Sequence, residues 1–217
     1  MTNHLQGAEF KPTSGKVRHI VLLLHGLGAD GNDLIGLAPM LAAGLPDTYF
    51  YAPNAPYPCD MAPYGYQWFS LQSRNHDLLE AGVRGVMPIL NDTIDALLKR
   101  FKLADKDLAI VGFSQGTMTG IYTALRRSRA IAGIVGFSGA LLGADTLARE
   151  IKSHPPLCLI HGEEDMVVPF VAMTLASEVL GKMQLPLETH ARPGLGHGID
   201  PEGIAIALPF LRKCFGL

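Results

Sequence analysis

The chain has 217 residues, 48% of them hydrophobic and 18% charged, with a formal net charge of −2. That size and composition suit one compact domain, residues 1–217, with a sizeable core, and they exclude a disordered chain. They also argue against a nucleic-acid-binding protein: Arg126-Arg127-Ser128-Arg129 is the one short cationic run, and it reads better as a helix end, where cations meet the carbonyl end of the dipole.

Met1 to Lys16 is polar, contains Gly7, Pro12 and Gly15, and lacks the apolar stretch of a secretory signal. A short leading strand is expected at most, within Leu5–Phe10. The longest aliphatic run, Ile20 to Leu24, is too short to span a bilayer, so stable membrane insertion is not expected. Cys59, Cys158 and Cys214 are odd in number and lack CxxC spacing, which points to reduced thiols and a cytoplasmic protein.

Taken in chain order, short apolar runs rich in β-branched residues alternate with helical patterns. Val17–His25, Tyr49–Ala52, Leu108–Phe113, Ile131–Phe137, Leu157–His161 and Leu187–Ala191 read as strands. Their near-continuous hydrophobicity predicts a mostly parallel sheet covered on both faces. Helices are expected over about Asp33–Ala43, Ser114–Arg127, Pro169–Met183 and Pro201–Phe215. The clearest helical stripe is Val83, Val86, Met87, Leu90, Ile94, Leu97, Leu98 and Phe101, with a kink or late start implied by Pro88. The alternation predicts an α/β fold, whose ligand sites lie beyond the carboxyl ends of the strands. Pro53 to Asn75, rich in Pro and aromatics, is the least regular part.

Gly112-Phe113-Ser114-Gln115-Gly116 has the form G-x-S-x-G between a strand and a helix. Such an elbow strains the backbone at the serine and lifts its hydroxyl above the sheet. The competing reading is that Ser114 merely caps the helix. A serine hydroxyl needs a base to take its proton, and in this fold the chain order is serine, acid, histidine. His197, in the loop Pro193–Gly198 after the last strand, meets that requirement. His190 lies within a strand and His154 before one, while His161 precedes the acid. Among Glu163, Glu164 and Asp165, Asp165 lies furthest into its loop and is the expected acid; the two glutamates read as solvated. No His or Cys pair in this loop has metal-ligand spacing, so neither a metal nor a cofactor is expected.

Gly26-Leu27-Gly28-Ala29-Asp30-Gly31 also satisfies the dinucleotide fingerprint G-x-G-x-x-G. Against that reading, Asp47 precedes the second strand instead of ending it, and Asp30 would put a carboxylate in the pyrophosphate cradle. A His-Gly turn after a strand instead offers the Leu27 N–H, with the Gln115 N–H, as an oxyanion hole.

With these residues assembled, the chain resembles the carboxylesterase/phospholipase family of α/β-hydrolases, which includes bacterial carboxylesterases and acyl-protein thioesterases. The matching segments are Leu24–Gly31, Pro53–Pro56, Gln67-Trp68-Phe69, Gly112–Gly116, Ser138-Gly139, His161–Pro169 and Gly196-His197. Thr117 stands where the family commonly has glycine, and Ser70 where it commonly has aspartate. The resemblance implies an α/β-hydrolase fold without a large cap domain and metal-free hydrolysis of esters or thioesters. Carboxylesterase action on short-to-medium acyl chains is the leading expectation; thioesterase or lysophospholipase action is the alternative, and a non-catalytic ligand-binding protein the third reading. Met61, Tyr64, Tyr66, Trp68, Phe69 and Leu71 form either an acyl-binding wall, with Trp68 and Phe69 at its centre, or a satellite core under a long loop. Exposed aromatics in this segment would also suit a homodimer contact or transient lipid contact.

Overall fold

The computed structural model describes residues 4–217; the first three residues of the polar N-terminal stretch lie outside the described part. In chain order the elements are β1 (Gly7–Phe10), β2 (His19–Leu24), α1 (Gly31–Leu34), α2 (Ala38–Ala42), β3 (Thr48–Pro53), β4 (Tyr57–Pro58), β5 (Tyr66–Gln67) and α3 (His76–Phe101). There follow β6 (Leu108–Phe113), α4 (Gln115–Arg126), β7 (Gly133–Phe137), α5 (Ala144–Glu150), β8 (Leu157–Gly162), α6 (Val171–Lys182), β9 (Leu187–Arg192) and α7 (Pro201–Cys214).

Seven strands form one sheet in the order β1-β3-β2-β6-β7-β8-β9. Only β1 is antiparallel; every other neighbour pair is parallel. The strand period of two explains the two cores. Ile20, Leu22 and Leu24 face the layer of α3, α4 and α6, whereas Val21 and Leu23 face α1, α2 and α7. All five are fully buried, as a sheet covered on both faces requires. No large cap covers the strand ends among the described residues, and no helix there is long and apolar enough to cross a membrane.

The expected helix over Asp33–Ala43 is broken. A single 3-10 turn, Ile35–Leu37, separates α1 from α2, and Pro39 enters the first turn of α2. The opposite happens at Pro88. There α3 runs unbroken through the proline, which sits on the exposed side of the helix, where a missing backbone hydrogen bond costs least because water can replace it. Asn75 starts this helix by accepting from the N–H groups of Asp77 and Leu78.

The cationic run does end a helix, α4, but its first two arginines are buried. Arg126 Nε meets Glu150 at 2.7 Å. Arg127 meets Asp105 at 2.6 Å, Asp95 at 2.7 Å and Asn91 at 2.7 Å. Burying a guanidinium costs more than a surface ion pair returns unless each charge is paired. These contacts therefore pin the carboxyl end of the helix that begins beside Ser114. Asp105→Ala, which strands part of that charge, is expected to destabilise the fold by about 3–5 kcal/mol, toward the lower end because Asp95 remains. Chemical denaturation measures this; a midpoint unchanged from the wild type would refute the anchoring.

Candidate active site

Ser114 lies between β6 and α4 with φ 52° and ψ −117°, outside the regions that side-chain-bearing residues favour. Its N–H donates to the carbonyl of Phe137 at 2.9 Å, and its side chain makes no capping hydrogen bond. The capping reading of this serine therefore fails. The flanking glycines are required by close approach. A Cβ on Gly116 would lie 1.9 Å from the carbonyl oxygen of Leu24, and one on Gly112 would lie 2.6 Å from the backbone of Thr117. Thr117 turns its hydroxyl onto the carbonyl of Phe137 at 2.9 Å and so packs without disturbing the elbow.

Two loops at the far side of the sheet bring Asp165 and His197 together. His197 Nδ1 lies 2.8 Å from Asp165 Oδ2, and the His197 ring packs on Phe113, the residue before Ser114, at 4.9 Å between centroids. The Asp165 side chain is wholly buried. Its Oδ1 accepts from the N–H groups of Val167 and Val168, each at 2.9 Å. Burial alone would raise the carboxyl pKa, but the bonds from His197, Val168 and Val167 outweigh it and hold the group below its ordinary range. Glu163 and Glu164 are exposed. Their backbone N–H groups instead donate to the carbonyls of Arg192, at the end of β9, and of Leu195 in the histidine loop, at 3.0 Å each. Gly162 permits this contact, since a Cβ there would come within 2.2 Å of the Leu195 carbonyl.

Both ends of the histidine loop are tied. Arg192 Nη2 pairs with Asp200 at 2.8 Å, and Asp200 caps α7 through the N–H of Gly203, with Pro201 as the first helical residue. His161, set aside in the sequence as preceding the acid, meets the same carboxylate from beneath. Its Nε2 lies 2.8 Å from the Val168 carbonyl and 3.3 Å from Asp165 Oδ2.

Opposite Ser114 runs the loop that follows β2. At Gly26, a Cβ would lie 3.1 Å from the Phe113 ring and 3.4 Å from the Ser114 Cβ, so this turn sits directly against the elbow. Among the described residues no acceptor takes the N–H of Leu27 or of Gln115. Asp30 instead caps α1, accepting from Asn32 and Asp33, so a carboxylate occupies the helix terminus that a pyrophosphate would need.

Trp68 and Phe69 do not wall a groove; that expectation is corrected. Both are core residues, and Trp68 has no exposed surface. They serve the loop instead. Trp68 Nε1 donates to the His25 carbonyl at 2.9 Å. Gln115 Oε1 accepts from the Trp68 N–H at 2.9 Å, and Gln115 Nε2 donates to the Phe69 carbonyl at 2.6 Å. Gly28 and Ala29 exchange backbone bonds with Tyr66, each at 2.9 Å. His25 completes the clamp: its Nε2 accepts from the Ala55 N–H at 2.9 Å, which leaves Nδ1–H to donate to the Gly26 carbonyl at 2.7 Å. Neither His25 nor the Gln115 side chain could be assigned from chain order, because their partners lie 30 and about 47 residues away.

Trp68→Ala should thus cost about 3–5 kcal/mol of stability and depress kcat/KM equally across a series of ester chain lengths. A loss confined to long acyl chains would restore the groove reading. His25 adds a pH dependence. Burial lowers its pKa from 6.5, so the unfolded chain binds the proton more readily and stability falls as pH drops through 6.5 toward the folded value. The stability difference between wild type and His25→Asn should shrink between about pH 7 and pH 5; a constant difference in denaturant midpoints would contradict this.

Residues 5–215 match the family model described as phospholipase/carboxylesterase. Esterase YpfH of Escherichia coli is 26% identical over 90% of this chain and 82% of its own length. Acyl-protein thioesterase 1 of Gibberella zeae is 25% identical over 93% of both chains. The crystal structure of esterase PE8 is 38% identical and superposes with a TM-score of 0.93, covering 97% of this chain and 99% of that one. The chain belongs to the phospholipase/carboxylesterase family of α/β-hydrolases, serine hydrolases that act on esters.

Proposed function

We propose that the protein is a carboxylesterase in which Ser114 is the nucleophile, His197 the general base and Asp165 the orienting acid. The observation that carries this reading is the 2.8 Å pair between His197 Nδ1 and the buried Asp165, packed beside a strained serine. Asp165 accepts from Nδ1–H and so leaves Nε2 as the basic nitrogen. Ser114 Oγ attacks the ester carbonyl carbon while His197 Nε2 takes its proton. The carbonyl oxygen becomes an oxyanion, which accepts from the N–H groups of Leu27 and Gln115; one such donor contributes about 3–4 kcal/mol in known hydrolases. Collapse breaks the bond to the leaving alcohol, which takes the proton from His197. Water then repeats the sequence on the acyl-enzyme and releases the carboxylic acid and free Ser114.

A second reading, thioesterase or lysophospholipase action, has its own support. Met166 and Val167, immediately after the acid, are strongly exposed, as are Val171 and Leu175 on the adjoining helix. This apolar strip would accept a longer acyl chain than the carboxylesterase reading requires. Rates on ester and thioester panels of increasing chain length separate the two. The three free thiols fit a reducing, cytoplasmic setting.

Fluorophosphonate should label Ser114 alone, and Ser114→Ala should abolish labelling and lower kcat on the order of a million-fold. Asp165→Asn should lower kcat by about four orders of magnitude, whereas Glu163→Gln and Glu164→Gln, both solvated, should leave it unchanged. Labelling at another serine, or a sensitive glutamate, would overturn the assignment.

A further inference from the structure

A second cluster of chemically capable side chains lies away from the triad, on the face of the sheet covered by α7. Strand register sets Cys158 of β8 beside Glu188 of β9, and Ile160 beside His190. The period of two then projects Cys158, Glu188 and His190 from the same face. The Cys158 sulfur, one Glu188 carboxylate oxygen and a His190 ring nitrogen all lie within 4.8 Å of one another.

The details of the cluster leave ligand atoms without a partner. Glu188 divides its carboxylate: Oε1 pairs with Lys213 of α7 at 3.2 Å, while Oε2 is 3.9 Å from His190 Nε2. That second separation is too long for a hydrogen bond. It is close to the spacing of two ligand atoms on one tetrahedral ion, about 3.3–3.7 Å for bonds of about 2.0–2.3 Å. His190 Nε2 is buried with no hydrogen-bond partner among the described residues. A buried nitrogen without a partner costs free energy that a cation would recover. Burial, with the charge of Glu188, pushes the Cys158 thiol up to about 12, so without a cation it is inert. Cys214 lies over Gly133 of β7, toward the neighbouring strand, and is not counted as a ligand.

We propose that Cys158, Glu188 and His190 form a site for a borderline-soft divalent cation of the zinc class, with water completing the coordination. Sulfur, imidazole and carboxylate are the ligand set that such an ion takes. On binding, the Cys158 thiol releases its proton to solvent. The thiolate and the free oxygen of the Glu188 carboxylate then face the dication, Lys213 keeps its place on the other carboxylate oxygen, and neutral His190 donates the Nε2 lone pair. The ion joins β9, at the sheet edge, to β8. These two strands lead into the loops that carry His197 and Asp165, so the site acts on stability without entering the hydrolytic chemistry.

The test is a titration of the full chain with Co²⁺ as a spectroscopic substitute for Zn²⁺. One equivalent should produce a thiolate-to-cobalt charge-transfer band, and Zn²⁺ should raise Tm. His190→Ala and Glu188→Gln, both at partly exposed positions, should each weaken Co²⁺ binding at least about tenfold, and Cys158→Ser should remove the band. Cys59→Ser and Ser114→Ala should retain it, the latter separating this site from the hydrolytic one. No band for the wild type in excess Co²⁺, or full-strength binding in His190→Ala or Glu188→Gln, would overturn the proposal.

Discussion

The carboxylate of Asp165 is the point on which the site depends. Removing a negative charge from water is costly, and the cost is met only when donors surround it. Here two backbone N–H groups fold the loop around Oδ1, and His197 approaches Oδ2, with His161 beneath. The same bonds that keep the acid ionised also fix its position. Loop shape, ionisation and imidazole orientation are thus one constraint, and none can be altered without the others.

A second network stands on the opposite side of Ser114. The turn at Gly26 must pass close to the elbow while leaving the Leu27 N–H unoccupied. A loop free to move would satisfy that donor internally, and here the surrounding bonds prevent it. Trp68, His25 and the Gln115 side chain take up the neighbouring carbonyl and amide groups, so the chain has few alternative arrangements. Gln115 therefore contributes twice: its backbone N–H faces the proposed oxyanion, and its side chain braces the segment that holds the other donor.

Much of this was legible in the sequence because it is local. The elbow is five consecutive residues; Asp200-Pro201 is a cap and a first turn; the buried strands announce themselves as aliphatic runs. Asp165 was separable from Glu163 and Glu164 by its depth in the loop, which matches its burial. Residues whose meaning depends on distant partners were harder. Trp68 and Phe69 looked like substrate contacts because large aromatics in an irregular segment suit either a groove or a core, and only the positions of Gln115 and His25 distinguish them. Cys158, Glu188 and His190 have no ligand spacing along the chain, because parallel pairing joins residues about 30 apart. The late helix start expected at Pro88 fails for a related reason: the cost of proline in a helix depends on which side faces water.

The order of the strands also explains how the restraints are distributed. Ser114 follows β6, which is flanked by β2 and β7 and buried on both faces, and a single strained elbow suffices to hold it. Asp165 follows β8, nearer the edge, and needs a loop closed by its own carboxylate. His197 follows β9, an edge strand whose side chains are largely open to solvent. An edge strand has hydrogen-bonding neighbours on one side only and opens more readily than a central one. His197 thus hangs from a strand with a neighbour on one side only, and the bonds from Glu163 and Glu164 to the histidine loop, with the Arg192–Asp200 pair, supply what the sheet does not. This also accounts for two exposed glutamates beside a buried aspartate: the backbones of Glu163 and Glu164 hold the loop, and their side chains are left to solvent.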